Sequence, residues 1–271
     1  MNKKIAFIGA GSMAEAIISG IVKSGILTKE QILVTNKSNR ERLENIKSKY
    51  DVQCILDKEE VIREADIVIL ATKPYDLKDS VESIKEFLQP EQLVFSVIAG
   101  ISTDYITALI GNNNPVVRAM PNTSATIGYS ATAISAGKYA SDEHLIQAEE
   151  LFATIGTTAI VDEDDMHTVT GISGSGPAYI YYLVEAMEKA ALEAGFDKET
   201  AMELITQTVR GAGQMLKESG ESAAVLRKKI TSPAGTTEAG IETLNKYDFE
   251  KTIMECVKSA SNRSVELGKN E

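Results

Sequence analysis

Short apolar runs rich in β-branched residues recur through the first half of the chain, beginning with Ile5-Ala6-Phe7-Ile8 and returning at Ile32–Thr35, Ile67–Ala71, Val94–Val97 and Val116–Met120. Between them apolar residues recur at helical spacing, which predicts helices over 12–25, 39–49, 58–65, 75–88 and 103–110. Such alternation is the pattern of βαβ units. A run apolar at every position, as Ile67-Val68-Ile69-Leu70-Ala71 is, fits a strand covered on both faces of a parallel sheet. Val52–Ile55 is a further strand candidate, and Gly128–Gly137 and Thr157–Val161 flank a predicted helix at 142–153 and extend the same sheet.

After Asp162 the strand pattern stops. Ala, Leu, Glu, Lys and Met then recur with helical period over 177–195, 198–218, 222–229, 236–246 and 248–267, broken at Gly195, Gly220, Pro233 and Asp248. The predicted fold class is therefore α/β: a Rossmann-type doubly wound, mostly parallel sheet over 1–162, followed by an all-α domain over 163–271. The helical half carries wide apolar faces, with Ile180, Leu183, Val184 and Met187 beside Ala190, Ala191 and Ala194, and a second subunit is a natural cover for them.

Charge narrows the partners. The 271 residues carry 28 Lys and Arg against 39 Asp and Glu, a net charge of −11, and no basic block stands out. Nucleic acid is thereby excluded as a partner, whereas a small anion held by a few local groups is not. The apolar runs fall well short of the ~20 residues that span a bilayer, so no membrane partner is expected. The first residues lead straight into a strand and read as no targeting segment. Cys54 and Cys256 have no metal-ligand spacing, which argues against a zinc site or disulfide framework and for a reducing cytoplasm. His144 and His167 lie outside the glycine-rich and strand-end segments, and no Ser-His-Asp, H-E-x-x-H or P-loop pattern is present.

Candidate chemistry begins at Gly9-Ala10-Gly11-Ser12-Met13-Ala14, a G-x-G-x-x-A fingerprint set between a strand and a helix. Gly9 permits the tight turn, Gly11 admits a pyrophosphate to the backbone, and Ala14 lets helix and strand pack closely. The helix start offers free N–H groups to phosphate. NAD-specific sites place an acid at the end of the second strand; here Thr35-Asn36-Lys37-Ser38-Asn39-Arg40 offers amide, hydroxyl and cationic donors suited to a 2′-phosphate, with Lys37 and Arg40 as the cations. Those residue types also cap helices. Three further strand ends, Ala71-Thr72-Lys73-Pro74, Val97-Ile98-Ala99-Gly100 and Met120-Pro121-Asn122, are placed to line a nicotinamide pocket.

Two segments mark the helical half. Gly171-Ile172-Ser173-Gly174-Ser175-Gly176-Pro177 fits either a ligand cradle or close helix packing. Thr231-Ser232-Pro233-Ala234-Gly235-Thr236-Thr237-Glu238 concentrates hydroxyls at a helix start, where backbone N–H groups suit a substrate carboxylate.

With these motifs the whole chain resembles pyrroline-5-carboxylate reductases, on Phe7–Ala14, Ala71–Pro74, Met120–Asn122, Thr170–Tyr179 and Thr231–Thr237. The resemblance implies NADPH, or NADH, as cofactor, held by Ile8, Gly9, Ala10, Gly11, Ser12 and Met13, by Asn36, by Ala71, Thr72, Lys73 and Pro74, and by Val97, Ile98 and Ala99. It places the substrate carboxylate against Gly235, Thr236 and Thr237 with Ser232 nearby, Thr237 closest to the chemistry, and Glu163 as a substrate-proximal carboxylate. It further implies a homodimer through the helical half, with a ring such as a decamer as a larger assembly. Two departures fall on the substrate loop: Ala234 replaces a common Gly, and Lys229 a neutral polar residue. A β-hydroxyacid dehydrogenase is the alternative enzyme, matched at Gly171, Gly174 and Gly176, yet Ile180 and Val184 stand where that family has Lys and Asn. A catalytically silent nucleotide sensor on the same fold is the non-enzymatic alternative.

Overall fold

The computed structural model describes residues 3–269. Its strands are β1 (Ile5–Ile8), β2 (Ile32–Thr35), β3 (Gln53–Cys54), β4 (Ile67–Leu70), β5 (Leu93–Ser96), β6 (Val116–Met120), β7 (Ser130–Ala136) and β8 (Gly156–Ile160). They form one sheet in the order β3-β2-β1-β4-β5-β6-β7-β8. Neighbours run parallel except β7, which is antiparallel to β6. The expected Rossmann-type sheet is thus present, and both late strand candidates extend it.

Every residue of β1, β2, β4 and β5 is buried, because helices cover both faces. Ile5 and Phe7 pack on one side with Ile17 and Ile21 of α1 (Ser12–Ser24) and with Phe152 of α6 (Asp142–Phe152). Ala6 and Ile8 pack on the other with Val61 of α3 (Lys58–Arg63), Val81 of α4 (Leu77–Glu82) and Ile106 of α5 (Thr103–Ile110). The strand order reverses between β1 and β4, the point at which such sheets open a crevice at their carboxyl ends.

One predicted element differs and one segment gains an assignment. The helix expected over 75–88 is regular only across α4, because the Ser83 hydroxyl donates to the Ser80 carbonyl at 2.7 Å and the following turns close three residues back, Ile84 to Val81 and Phe87 to Ile84. The glycine-rich run after residue 170, which the sequence leaves without an assigned element, is helical: α7 (Met166–Val169) passes into a π-helical turn over Thr170–Gly174, with the Ser175 N–H on the Thr170 carbonyl at 2.8 Å. The turn packs on β6 and its following loop: a Cβ at Gly174 would stand 2.8 Å from the mobile Met120 Cε, and the Asn122 amide donates to the Ser173 carbonyl at 3.0 Å.

The chain divides into two compact units, one reaching to Ser175 and including the chain from Lys258, the other spanning Gly176–Val257. This division falls later than the expected boundary at 162 because α7 packs on the sheet, with Met166 buried against Met120 and Ala133. The second unit contains α8 (Gly176–Glu193), α9 (Lys198–Glu218), α10 (Ala223–Lys229), α11 (Thr236–Lys246) and the start of α12 (Phe249–Lys269). No residue of α8, α10 or α11 is buried, and Tyr182, Leu204 and Met254 are exposed, so its apolar faces lack a cover within one chain.

Candidate active site

A cavity of about 700 Å³ lies at the carboxyl ends of β1, β4 and β5. Ile8 through Met13, Asn36, Lys37, Ala71 through Pro74 and Val97 through Ala99 all line it. Sequence reading therefore finds most of one wall after another. Arg40 is the exception: it opens α2 (Arg40–Tyr50), is exposed and lies outside the lining.

The geometry fits a dinucleotide. Gly9 has φ +111°, and a Cβ there would meet the Ala71 carbonyl oxygen at 2.5 Å, so the turn demands glycine. Gly11 caps α1 without any side-chain hydrogen bond, and open space surrounds the place its Cβ would occupy. The first-turn N–H groups of α1 have no intrahelical acceptor, and Ser12 and Met13 lie on the cavity wall, an arrangement suited to phosphate. The Thr72 hydroxyl is buried without a hydrogen-bond partner among the described residues, on the same cavity wall.

Sequence reading missed the residue that braces this loop. Arg42, in the first turns of α2, donates through Nε to the Ala10 carbonyl at 2.7 Å and pairs with Glu15. Glu15 also accepts from Lys49 at 2.8 Å and Tyr50 at 3.0 Å. These partners, Lys49 foremost and then Arg42, hold its carboxyl down at about 2. An acid next to a phosphate cradle is thereby neutralised by its own neighbours. Nothing local separates Arg40 from Arg42 in sequence; the rotation of α2 does.

At the end of β2, the Asn36 side chain accepts from the Asn39 N–H at 2.9 Å and donates to the Asn39 carbonyl at 2.8 Å, while Asn39 caps α2 through the Arg42 N–H. Lys37 reaches Asp79 at 3.2 Å. Lys58, Asp76, Asp79, Ser80, Ser83 and Thr123 complete the lining, none of them assigned from sequence.

Glu163 uses both oxygens within the first unit: it accepts from the Thr103 N–H at 2.8 Å and from the Thr103 hydroxyl, and the buried Arg118 guanidinium approaches it at 3.4 Å. It thus fixes the start of α5, just after Val97–Ala99. Close by, a Cβ at Gly268 near the end of α12 would stand 2.5 Å from the Gly100 carbonyl oxygen.

In the second unit, α11 begins at Thr236 with Gly235 as an uncapped, extended N-cap. The Gly235 N–H is on the Ser232 carbonyl at 3.0 Å and the Ala234 N–H on the Glu238 carboxylate at 2.6 Å, which leaves the N–H groups of Thr236 and Thr237 for a ligand. Gly235 is set by the turn itself, since a Cβ there would sit 2.9 Å from the Ser232 carbonyl oxygen. Lys229, the departure noted in sequence, is held by both Glu221 oxygens at 2.6 and 2.8 Å. Ala234 adopts φ +55°. An alanine methyl tolerates that turn at about 1 kcal/mol, but a β-branched residue does not, so Ala234→Val is expected to lower unfolding free energy by about 1–3 kcal/mol. The urea midpoint measures this; an unchanged midpoint would show that the turn relaxes.

The family model described as pyrroline-5-carboxylate reductase dimerisation matches residues 163–267, and one described as NADP oxidoreductase, coenzyme F420-dependent, matches residues 4–100. Pyrroline-5-carboxylate reductase 2 of Bacillus subtilis is 49% identical over 265 residues, covering 98% of this chain and 95% of its own. The chain belongs to the pyrroline-5-carboxylate reductase family. Among solved structures it is similar to a pyrroline-5-carboxylate reductase from Coxiella burnetii, at TM-score 0.92 and 36% identity over 98% of this chain and 99% of that one. The Plasmodium falciparum pyrroline carboxylate reductase, determined with NADP bound, gives TM-score 0.89 and 29% identity, covering 98% of each chain. The likeness therefore spans both units, including the phosphate cradle at Gly9–Met13 and the helix start at Thr236.

Proposed function

We propose that the chain reduces the C=N bond of 1-pyrroline-5-carboxylate to L-proline, the last step of proline biosynthesis, with NADPH as the preferred reductant. The observation that carries this reading is the cavity at the β1, β4 and β5 ends, built on the dinucleotide fingerprint, in a chain of this family. NADPH is favoured over NADH because the end of β2 carries Asn36 and Lys37 where an NAD site carries an acid.

Bound at the strand ends, the cofactor supplies a hydride. The protein's part is positioning and charge complementarity. Free N–H groups of Thr236 and Thr237 hold the substrate carboxylate, with Gly235 and the Ser232 hydroxyl beside them. The Thr237 hydroxyl hydrogen-bonds the ring nitrogen. A cyclic imine protonates before reaction, so the iminium needs no strong internal acid, in keeping with the absence of histidine from both segments. Glu163 acts through Thr103, fixing the segment beyond Val97–Ala99. The alternative hydroxyacid chemistry lacks its proton carrier, since Ile180 and Val184 occupy α8.

Self-association through the helical region is supported by the dimerisation family and by the uncovered apolar faces of α8–α11. We extend this to a homodimer, assembled further into a ring such as a decamer. A reducing cytoplasm suits a chain whose two cysteines, Cys54 and Cys256, are both free. Loss of reduced-nicotinamide absorbance tests the reaction: it is expected with 1-pyrroline-5-carboxylate and faster with NADPH than NADH. Turnover only of a β-hydroxyacid with oxidised cofactor would overturn the imine assignment, and binding without turnover would favour the sensor.

A further inference from the structure

Lys58 is the first residue of α3, half-buried on the wall of the cofactor cavity. It donates to the Ser83 hydroxyl at 2.8 Å, and that hydroxyl in turn donates its own hydrogen bond to the Ser80 carbonyl at 2.7 Å. An ammonium has three donors; Ser83 takes one. No carboxylate stands within ion-pair distance of Lys58 among the described residues, although the chain carries 39 acids against 28 bases. Lys37 lines the same cavity, and its exposed ammonium is paired with Asp79. Burial, and then the charge of Lys37, both hold the Lys58 pKa below the usual lysine range. Two cations brought to one wall, one of them half-buried and unpaired with any acid, form an unfavourable arrangement that an incoming dianion relieves.

We propose that Lys58 is the specificity-determining residue for the adenosine 2′-phosphate of NADPH, closing with Lys37 a clamp of two ammonium groups on that phosphate. The inference rests on the NADPH reading above and assigns the second cation to Lys58 rather than to Arg40, which lies outside the cavity. A ribose without the phosphate leaves both ammonium groups as they are, so NADH gains nothing from them. Were Lys58 merely a brace for Ser83 and the end of α4, its loss would weaken both kinds of ligand alike.

Calorimetric titration of the full chain with 2′,5′-ADP and with 5′-AMP separates these cases, because the two probes differ only by the 2′-phosphate and neither is turned over. The wild type is expected to bind 2′,5′-ADP more tightly. Lys58→Gln is expected to weaken 2′,5′-ADP about tenfold or more while 5′-AMP changes less than about twofold, and Lys58→Arg is expected to restore most of the preference. In the wild type, 2′,5′-ADP should shield Lys58 from amine acylation, mapped by mass spectrometry, where 5′-AMP does not; that measurement needs no variant to fold. Equal losses for both probes in Lys58→Gln, or a Lys58 that 2′,5′-ADP leaves unshielded, would overturn the role of Lys58 alone. A wild type that shows no preference for 2′,5′-ADP would overturn the NADPH reading and the clamp with it.

Discussion

Gly9→Ala is expected to abolish useful cofactor binding and to destabilise the fold at once. The new Cβ would stand 2.5 Å from the Ala71 oxygen, 2.8 Å from the Ala71 carbonyl carbon and 3.1 Å from the Thr72 nitrogen. All three are backbone atoms, so no side chain can swing aside, and φ +111° is unfavourable for any residue with a Cβ. The β1 turn and the segment after β4 must separate, and both line the cavity. A cost of about 2–4 kcal/mol follows from strain and overpacking together, along with NADPH affinity weakened at least about a hundredfold because the phosphate cradle loses its geometry. Gly11→Ala is the companion. Its φ is −73° and its Cβ meets nothing within 4 Å, so thermal stability should hold while the methyl fills space a pyrophosphate needs. Thermal melts with and without NADPH read both effects; a Gly9→Ala protein that melts like wild type would show that the close approach to Ala71 is not a constraint.

Thr237→Ala tests the other end of the reaction. The substitution keeps the backbone N–H proposed for the carboxylate and removes only the hydroxyl proposed for the ring nitrogen. Orientation of the imine suffers more than binding, so kcat should fall about a hundredfold with KM moving much less, a loss of about 2.7 kcal/mol in transition-state stabilisation. Thr237→Ser retains a hydroxyl and should stay within about tenfold of wild type. Misfolding does not explain such a loss, since Thr237 sits in the first turn of α11, where alanine is the better helix former. Full kcat/KM in Thr237→Ala would remove the residue from the mechanism. A matching loss of NADPH affinity would place its role in the cofactor site instead.

Local pattern carried a large part of the fold. Dense runs of apolar, mostly β-branched residues located β1, β2, β4, β5 and β6 to within a residue or two, because strands covered on both faces are apolar at most positions, with Thr35, Ser96 and Arg118 as buried exceptions. The phosphate cradle was legible for a related reason: Gly9 and Gly11 are required by backbone geometry over a few residues, and such constraints are written contiguously. The helix over 75–88 was overestimated because a single serine, Ser83, turns its hydroxyl back on the chain and ends α4 early. The run at 171–177 fits two readings in sequence, and only the fold shows that it forms a π-turn packed against Met120 and Asn122.

What the sequence determined by itself is the order of elements, the dinucleotide fingerprint and the hydroxyl-rich start of α11, all of which depend on residues near one another along the chain. Tertiary structure decided which of two arginines serves the cradle, since Arg42 reaches Ala10 across 32 positions while Arg40 turns outward. It also decided that Glu163 spends itself on Thr103 and Arg118, 60 and 45 positions away, and that Lys58 meets Ser83 on the cavity wall. Spacing encodes the period of a helix or strand, but long polar side chains find partners wherever packing places a donor and an acceptor about 3 Å apart.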